Sequence, residues 1–199
     1  MKIYIYLLLT VTLLSCGSED MSRFFYIYDN AEFTEKRENP LPYTILVNNL
    51  SASSWLQNRQ IAVRPQANRI DYYDQYAWIA QPGELFAEQI YEVFKGLNAF
   101  SMINRHPSEG QADYFVGGYI NHLEFVREGD SLYAWVEFKL KLQKTNSRKP
   151  IFSFPVEEKM SLGEDTKMQT YVAKVSALFN REIITFAKRC EEVIEQRKP

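Results

Sequence analysis

Between residues 132 and 143 the chain alternates without interruption. Leu132, Ala134, Val136, Phe138, Leu140 and Leu142 are apolar, and Tyr133, Trp135, Glu137, Lys139, Lys141 and Gln143 stand between them. Neighbouring side chains of a strand point to opposite faces, so this segment buries one face and keeps the other against water. The pattern requires an antiparallel sheet with one covered side. It also leaves two aromatic residues, Tyr133 and Trp135, on the side that is otherwise polar. Rings in that position suit a contact patch, because Tyr and Trp serve surfaces that are half apolar and half wet. Tyr72, Tyr73, Tyr76 and Trp78 add to the aromatic stock. Two readings stand for the group as a whole: the lining of a lipid or peptide groove, or cover for the edge of the core.

Cover for the sheet comes from two amphipathic segments. Phe86, Ile90, Val93 and Leu97 recur at helical spacing from Pro82, where a proline in the first turn removes no needed hydrogen bond, and Asn98 is a suitable stop. Met168, Val172, Val175, Phe179, Ile183, Phe186 and Cys190 mark a second helix of about six turns, capped by Asp165-Thr166. Residues 24–28 and 43–47 read as strands. Residues 60–64 and 69–73 form a hairpin around Pro65-Gln66-Ala67-Asn68, and residues 101–104 give a short strand. The apolar run 114–126 is broken by Gly117-Gly118, which predicts a bulge, and a last strand spans 150–160. Strands joined by hairpins, with one helix in the middle and one at the end, predict an α+β domain. Its architecture is two-layer: a mainly antiparallel sheet with two helices packed on one face.

The first twenty residues bear on destination. Met1-Lys2 precedes an uncharged stretch from Ile3 to Leu14, too short for the roughly 20 apolar residues that cross a bilayer as a helix. The stretch ends in Leu13-Leu14-Ser15-Cys16, which looks like a lipobox; an ordinary export signal that happens to carry a cysteine is the plainer alternative. Lipidation of Cys16 would attach diacylglycerol and an N-acyl chain, and at ~0.8 kcal/mol per buried CH₂ such an anchor is stable. Gly17 stands where an aspartate would favour inner-membrane retention, so the expected destination is the outer membrane, on its periplasmic face. The organisation expected is a signal peptide over 1–15, a lipidated tether with a short strand over 16–42, and one domain over 43–199.

The net charge of −2, with no dense basic block, gives no footprint for nucleic acid. Only two cysteines occur, so lipidation of Cys16 leaves Cys190 without an intrachain partner, and on an apolar helix stripe it reads as a small hydrophobe rather than a reactive thiol. His106 lies beside Pro107 in a loop and His122 in a strand, with no metal-ligand spacing and no phosphate-binding glycine pattern. Glu157-Glu158-Lys159 reads as a solvated strand end. The residues suggest no enzyme and no metal or cofactor.

The stretch Ile61-Ala62-Val63-Arg64, then Arg69-Ile70-Asp71-Tyr72-Tyr73, Trp78, Pro82, an amphipathic helix and an Ala112-Asp113-Tyr114 strand resembles the ABC-type transport auxiliary lipoprotein family, to which paraquat-inducible protein C belongs. The resemblance spans most of residues 43–145. In that family an arginine ends a strand, an aromatic pair follows, and a tryptophan precedes a proline at the helix start. Here that last motif reads Trp78-Ile79-Ala80-Gln81-Pro82 in place of the commoner Trp-Ala-Glu-Pro. The resemblance implies an accessory protein that works with an ABC transporter and a mammalian-cell-entry domain protein in lipid traffic between the inner and outer membranes. Phospholipid is then a candidate ligand, and assembly into a homo-oligomer is compatible with the role. It supplies no catalytic residues. Arg64 becomes a carboxylate cap or interface residue, or else a solvated arginine, and Trp78 with Pro82 fixes the start of the first helix. The alternative role is a stand-alone lipid-binding or structural envelope lipoprotein.

Overall fold

The computed structural model describes residues 24–29, 36–163 and 167–197. Cys16 and the Asp165-Thr166 cap lie outside the described residues. The strands are β1 (Phe24–Tyr26), β2 (Leu41–Val47), β3 (Ser51–Ala52), β4 (Gln60–Gln66) and β5 (Arg69–Trp78) before helix α1 (Pro82–Leu97). After it come β6 (Phe100–Asn104), β7 (Tyr114–Glu128), β8 (Ser131–Lys144) and β9 (Pro150–Gly163), then helix α2 (Met168–Glu195). The fold is α+β, with one mixed sheet and both helices on the same side of it.

The alternating segment becomes β8, and its apolar residues Leu132, Ala134, Val136, Phe138, Leu140 and Leu142 are all buried. Phe138 meets Phe86 of α1 and Phe179 of α2, so one strand face receives both helices. α1 opens at Pro82 and stops at Asn98, which takes the left-handed conformation that asparagine tolerates better than most residues. α2 has 28 residues, closer to eight turns than the six expected, because the buried stripe continues past Cys190 to Ile194.

β7 is the spine of the sheet. On one side it pairs antiparallel with β8 along its whole length, and β8 pairs antiparallel with β9. Its other side is shared among three strands that run parallel to it: β2 against Tyr114–Val116, β3 at Tyr119 and Ile120, and β4 against Glu124–Val126. β2 also pairs parallel with β6, and β1 parallel with β5. The longest ladders are therefore antiparallel, and the parallel pairings attach the first half of the chain to β7. The β4–β5 hairpin forms as expected, with strands longer than predicted and only Ala67-Asn68 left between them.

The irregularity expected at Gly117-Gly118 lies elsewhere. β7 and β8 slip register between Ile120 and His122, while both glycines stay in regular pairing. Gly118 serves a close approach: a Cβ there would stand 2.3 Å from the Lys139 carbonyl oxygen. The slip at residue 121 keeps Ile120, Leu123 and Phe125 buried, and it turns His122 and Glu124 toward the helix-free face, opposite Glu137 and Trp135.

The chain near Tyr28 is bound into the same core. Tyr28 is buried against Trp78, Phe86 and Phe179. The Asp29 carbonyl accepts from the side chains of Gln89 on α1 and Asn180 on α2, and those two amides bond to each other. Farther along, Arg37 pairs with Glu191 and Glu195 of α2, and its carbonyl accepts from Asn98 at the end of α1.

Candidate functional site on the open face of the sheet

A carboxylate stands at the centre of the helix-free face. The Glu124 side chain is fully buried, in a strand whose other inaccessible residues are apolar. Loss of hydration alone would raise its pKa and favour the neutral acid. Four donors reverse this. Arg64 donates from Nε at 2.6 Å to Oε2 and from a terminal nitrogen at 3.1 Å to Oε1. The Trp55 indole N–H donates to Oε1 at 2.9 Å, and His122 Nδ1 lies 3.0 Å from the same oxygen. Burial pushes the Glu124 carboxyl up, but the hydrogen bonds and charges of Arg64 and His122 outweigh that and hold it below the usual value.

Each donor is placed by its element. The parallel pairing of β4 with β7 sets Ala62 opposite Glu124 and Arg64 opposite Val126, so the Arg64 fork reaches one step back along β7. Arg64 also donates to the Ala67 carbonyl in the hairpin turn, which fixes its stem. Trp55 comes from the short 3₁₀ turn Ser54–Leu56, and its carbonyl accepts from the Tyr72 hydroxyl at 3.0 Å. His122 stacks on Trp135 with ring centres 3.6 Å apart and planes 10° from parallel, and its Nε2 is 3.7 Å from Glu137. The Arg64 guanidinium lies 5.5 Å from the Trp135 ring centre. One step along β8, the Lys159 ammonium sits 4.8 Å from the Tyr133 ring centre and pairs with Glu128. Cations held over ring faces are attracted by the ring quadrupole, which holds both partners in place.

Beside this platform lies a recess of about 520 Å³ lined by Arg64, Ala67, Val126, Trp135, Glu128 and Lys159, with Glu157 and Glu158 at its wall. Its chemistry is mixed: an indole face and a valine for apolar contact, with cations and carboxylates arranged round them. The donors around Glu124 occupy its oxygens, so the group acts as an internal anchor for the platform. Binding through ring faces and peripheral charges is what the arrangement can do.

The fold has known counterparts. Protein XCC0632 from Xanthomonas campestris, of family model DUF330, superposes with a TM-score of 0.73 at 16% identity, covering 86% of this chain and 97% of its own. A second crystal structure, of an uncharacterized protein, gives 0.66 at 8% identity and covers 85% and 99%. PelC from Paraburkholderia phytofirmans, a dodecamer, reaches 0.44 at 9% identity over 76% and 89%. The first two likenesses establish a shared fold. The sequence matches no family model and no curated protein.

Of the residues singled out in the sequence, Arg64, Tyr72, Tyr133 and Trp135 meet on this face. Tyr73 does not: it points to the helix side, where its ring meets Phe125 edge-on. Trp78 is buried against Tyr28 and Tyr171, and Pro82 is the first residue of α1. Tyr133 and Trp135 are half-buried, held by Lys159, His122 and Arg64, and are not free-standing rings. Sequence reasoning missed Glu124, His122 and Trp55. The signal was present in Glu124, an acid inside an apolar strand, which requires a cationic or donor partner elsewhere in the chain.

Proposed function

We propose that this protein is a lipid-anchored accessory component of an ABC transporter and mammalian-cell-entry protein system that moves lipid between the inner and outer membranes. Cys16 carries the anchor, and the domain works at the periplasmic face of the outer membrane. The observation that carries the reading is the fate of the residues behind the family resemblance. Arg64 locks the buried Glu124 and borders the Trp135 recess, Trp78 is buried against Tyr28 and against Tyr171 of α2, and Pro82 opens α1. The motif thus describes one connected unit, from the open face to the helix layer. On this reading the Trp135–Tyr133 surface is where the partner protein docks, through ring faces and the flanking Arg64 and Lys159 charges.

The test is a mild-detergent pull-down of the tagged, lipidated protein from its native membranes, with mass spectrometry of proteins and lipids. Recovery of a mammalian-cell-entry protein or transporter subunits is expected, falling at least tenfold when Tyr133→Ala and Trp135→Ala are combined. Recovery of the protein alone, with stoichiometric lipid or with none, would overturn the accessory role in favour of a stand-alone envelope lipoprotein.

A further inference from the structure

The described residues expose few large apolar side chains, and three of them lie along one edge of the sheet, Phe24 on one face of the edge strand and Ile27 with Ile79 on the other. Phe24 is 55% exposed, Ile27 68% and Ile79 49%. They share this edge because β1 pairs parallel with the end of β5, and the Ile79 N–H donates to the Tyr26 carbonyl, which sets Ile79 beside Ile27. Tyr26 and Tyr76 border the group, with Tyr76 also in ring contact with Phe24. The Arg59 guanidinium lies against the Ile79 carbonyl at 3.5 Å, so a cation sits beside the apolar surface. Apolar side chains bordered by tyrosine and arginine have the composition of a surface at the boundary between lipid tails and headgroups.

Sequence distance selects the occupant. Phe24 is eight residues after Cys16, and eight extended residues span at most about 26–29 Å. A lipidated Cys16 therefore keeps the β1 edge close to the bilayer whatever path the intervening residues take. Met102, 51% exposed on the edge strand β6, belongs to a different border of the sheet.

We infer that the β1 edge, through Phe24, Ile27 and Ile79, rests in the interfacial layer of the membrane and fixes the orientation of the domain on it. This rests on the lipidation of Cys16 proposed above. The geometry divides the contact between two elements: the acyl chains attach the protein, and the β1 edge orients it.

The test uses the full lipidated chain in vesicles of phosphatidylethanolamine and phosphatidylglycerol containing a shallow spin-labelled lipid. An environment-sensitive fluorophore is placed at Ile27→Cys or at Met102→Cys; the thioether to diacylglycerol blocks the Cys16 sulfur and burial protects Cys190. Flotation with the vesicles, lost in Cys16→Ala, reports the anchor separately. Spin-label quenching at least threefold stronger at residue 27 than at residue 102 is expected. Equal quenching at the two positions with flotation intact would overturn the orientation and leave the anchor standing. Weak lipid quenching with self-quenching of the residue 27 probe would overturn it in favour of a second copy of the chain on this edge. Failure of the unsubstituted protein to float would overturn anchor and orientation together.

Discussion

A buried carboxylate is tolerated only when its oxygens are occupied, and Glu124 meets that condition through residues from three separate segments. Removing Arg64 leaves the charge in place with its main counter-ion gone, a change that costs about 3–5 kcal/mol for a buried pair. Arg64→Ala should therefore lower stability in urea by about 3 kcal/mol. The pH dependence follows from the direction of the shift. The carboxyl titrates below its ordinary 4.5 in the folded protein, so its contribution is complete at neutral pH and is lost as pH falls from 4.5 through the folded value. The stability gap between wild type and Arg64→Ala should accordingly shrink below pH 4.5, and a gap constant down to pH 3 would refute the ion-pair account. At Cys190, burial pushes the thiol well above its usual 9.0. Ellman's reagent should leave it unmodified for hours in the folded protein and react within minutes in denaturant. Tyr133 and Trp135 were legible as open-face residues because they interrupt the polar side of an alternating strand, whereas Arg64 was picked out through the family resemblance. His122 and Glu124 were not, since their facing depends on a register slip that residue types do not announce.

Elements with a strong internal period were the readable ones: β8, α1, α2 and the β4–β5 hairpin each carry their pattern within one segment. The parallel pairings on β7 were illegible, because strands far apart in sequence choose one another through the shape of the assembled layers rather than through local pattern. The glycines show the same divide. Gly117 and Gly118 look alike in sequence, yet a Cβ on Gly117 finds only Lys141 Cε at 3.8 Å, while one on Gly118 would strike the β8 backbone. Gly118→Ala should cost about 2–3 kcal/mol and Gly117→Ala less than about 0.5 kcal/mol in thermal or chemical denaturation. Gly83, in the first turn of α1, is as constrained: a Cβ there would lie 2.0 Å from the Leu50 carbonyl oxygen, so Gly83→Ala should cost about 2–3 kcal/mol by the same measurement.

At the scale of the whole molecule, the fact that matters most is that, among the described residues, only β7 joins β2, β3 and β4 to the β8–β9 pair by backbone pairing. Contacts of such sequence separation form late, because the intervening loop must be ordered before they repay it. In pulsed hydrogen-exchange refolding, the amides of β2 and β4 bonded to β7 should gain protection after those of the local β7–β8 hairpin; protection of β2 ahead of β8 would contradict this. A chain that leaves its ribosome or crosses a translocon N-terminus first presents the edges of β2 and β4 long before residue 128 emerges to cover them. The central strand therefore sets the timetable of biogenesis: until it arrives, the edges of β2 and β4 that it will cover have no partner.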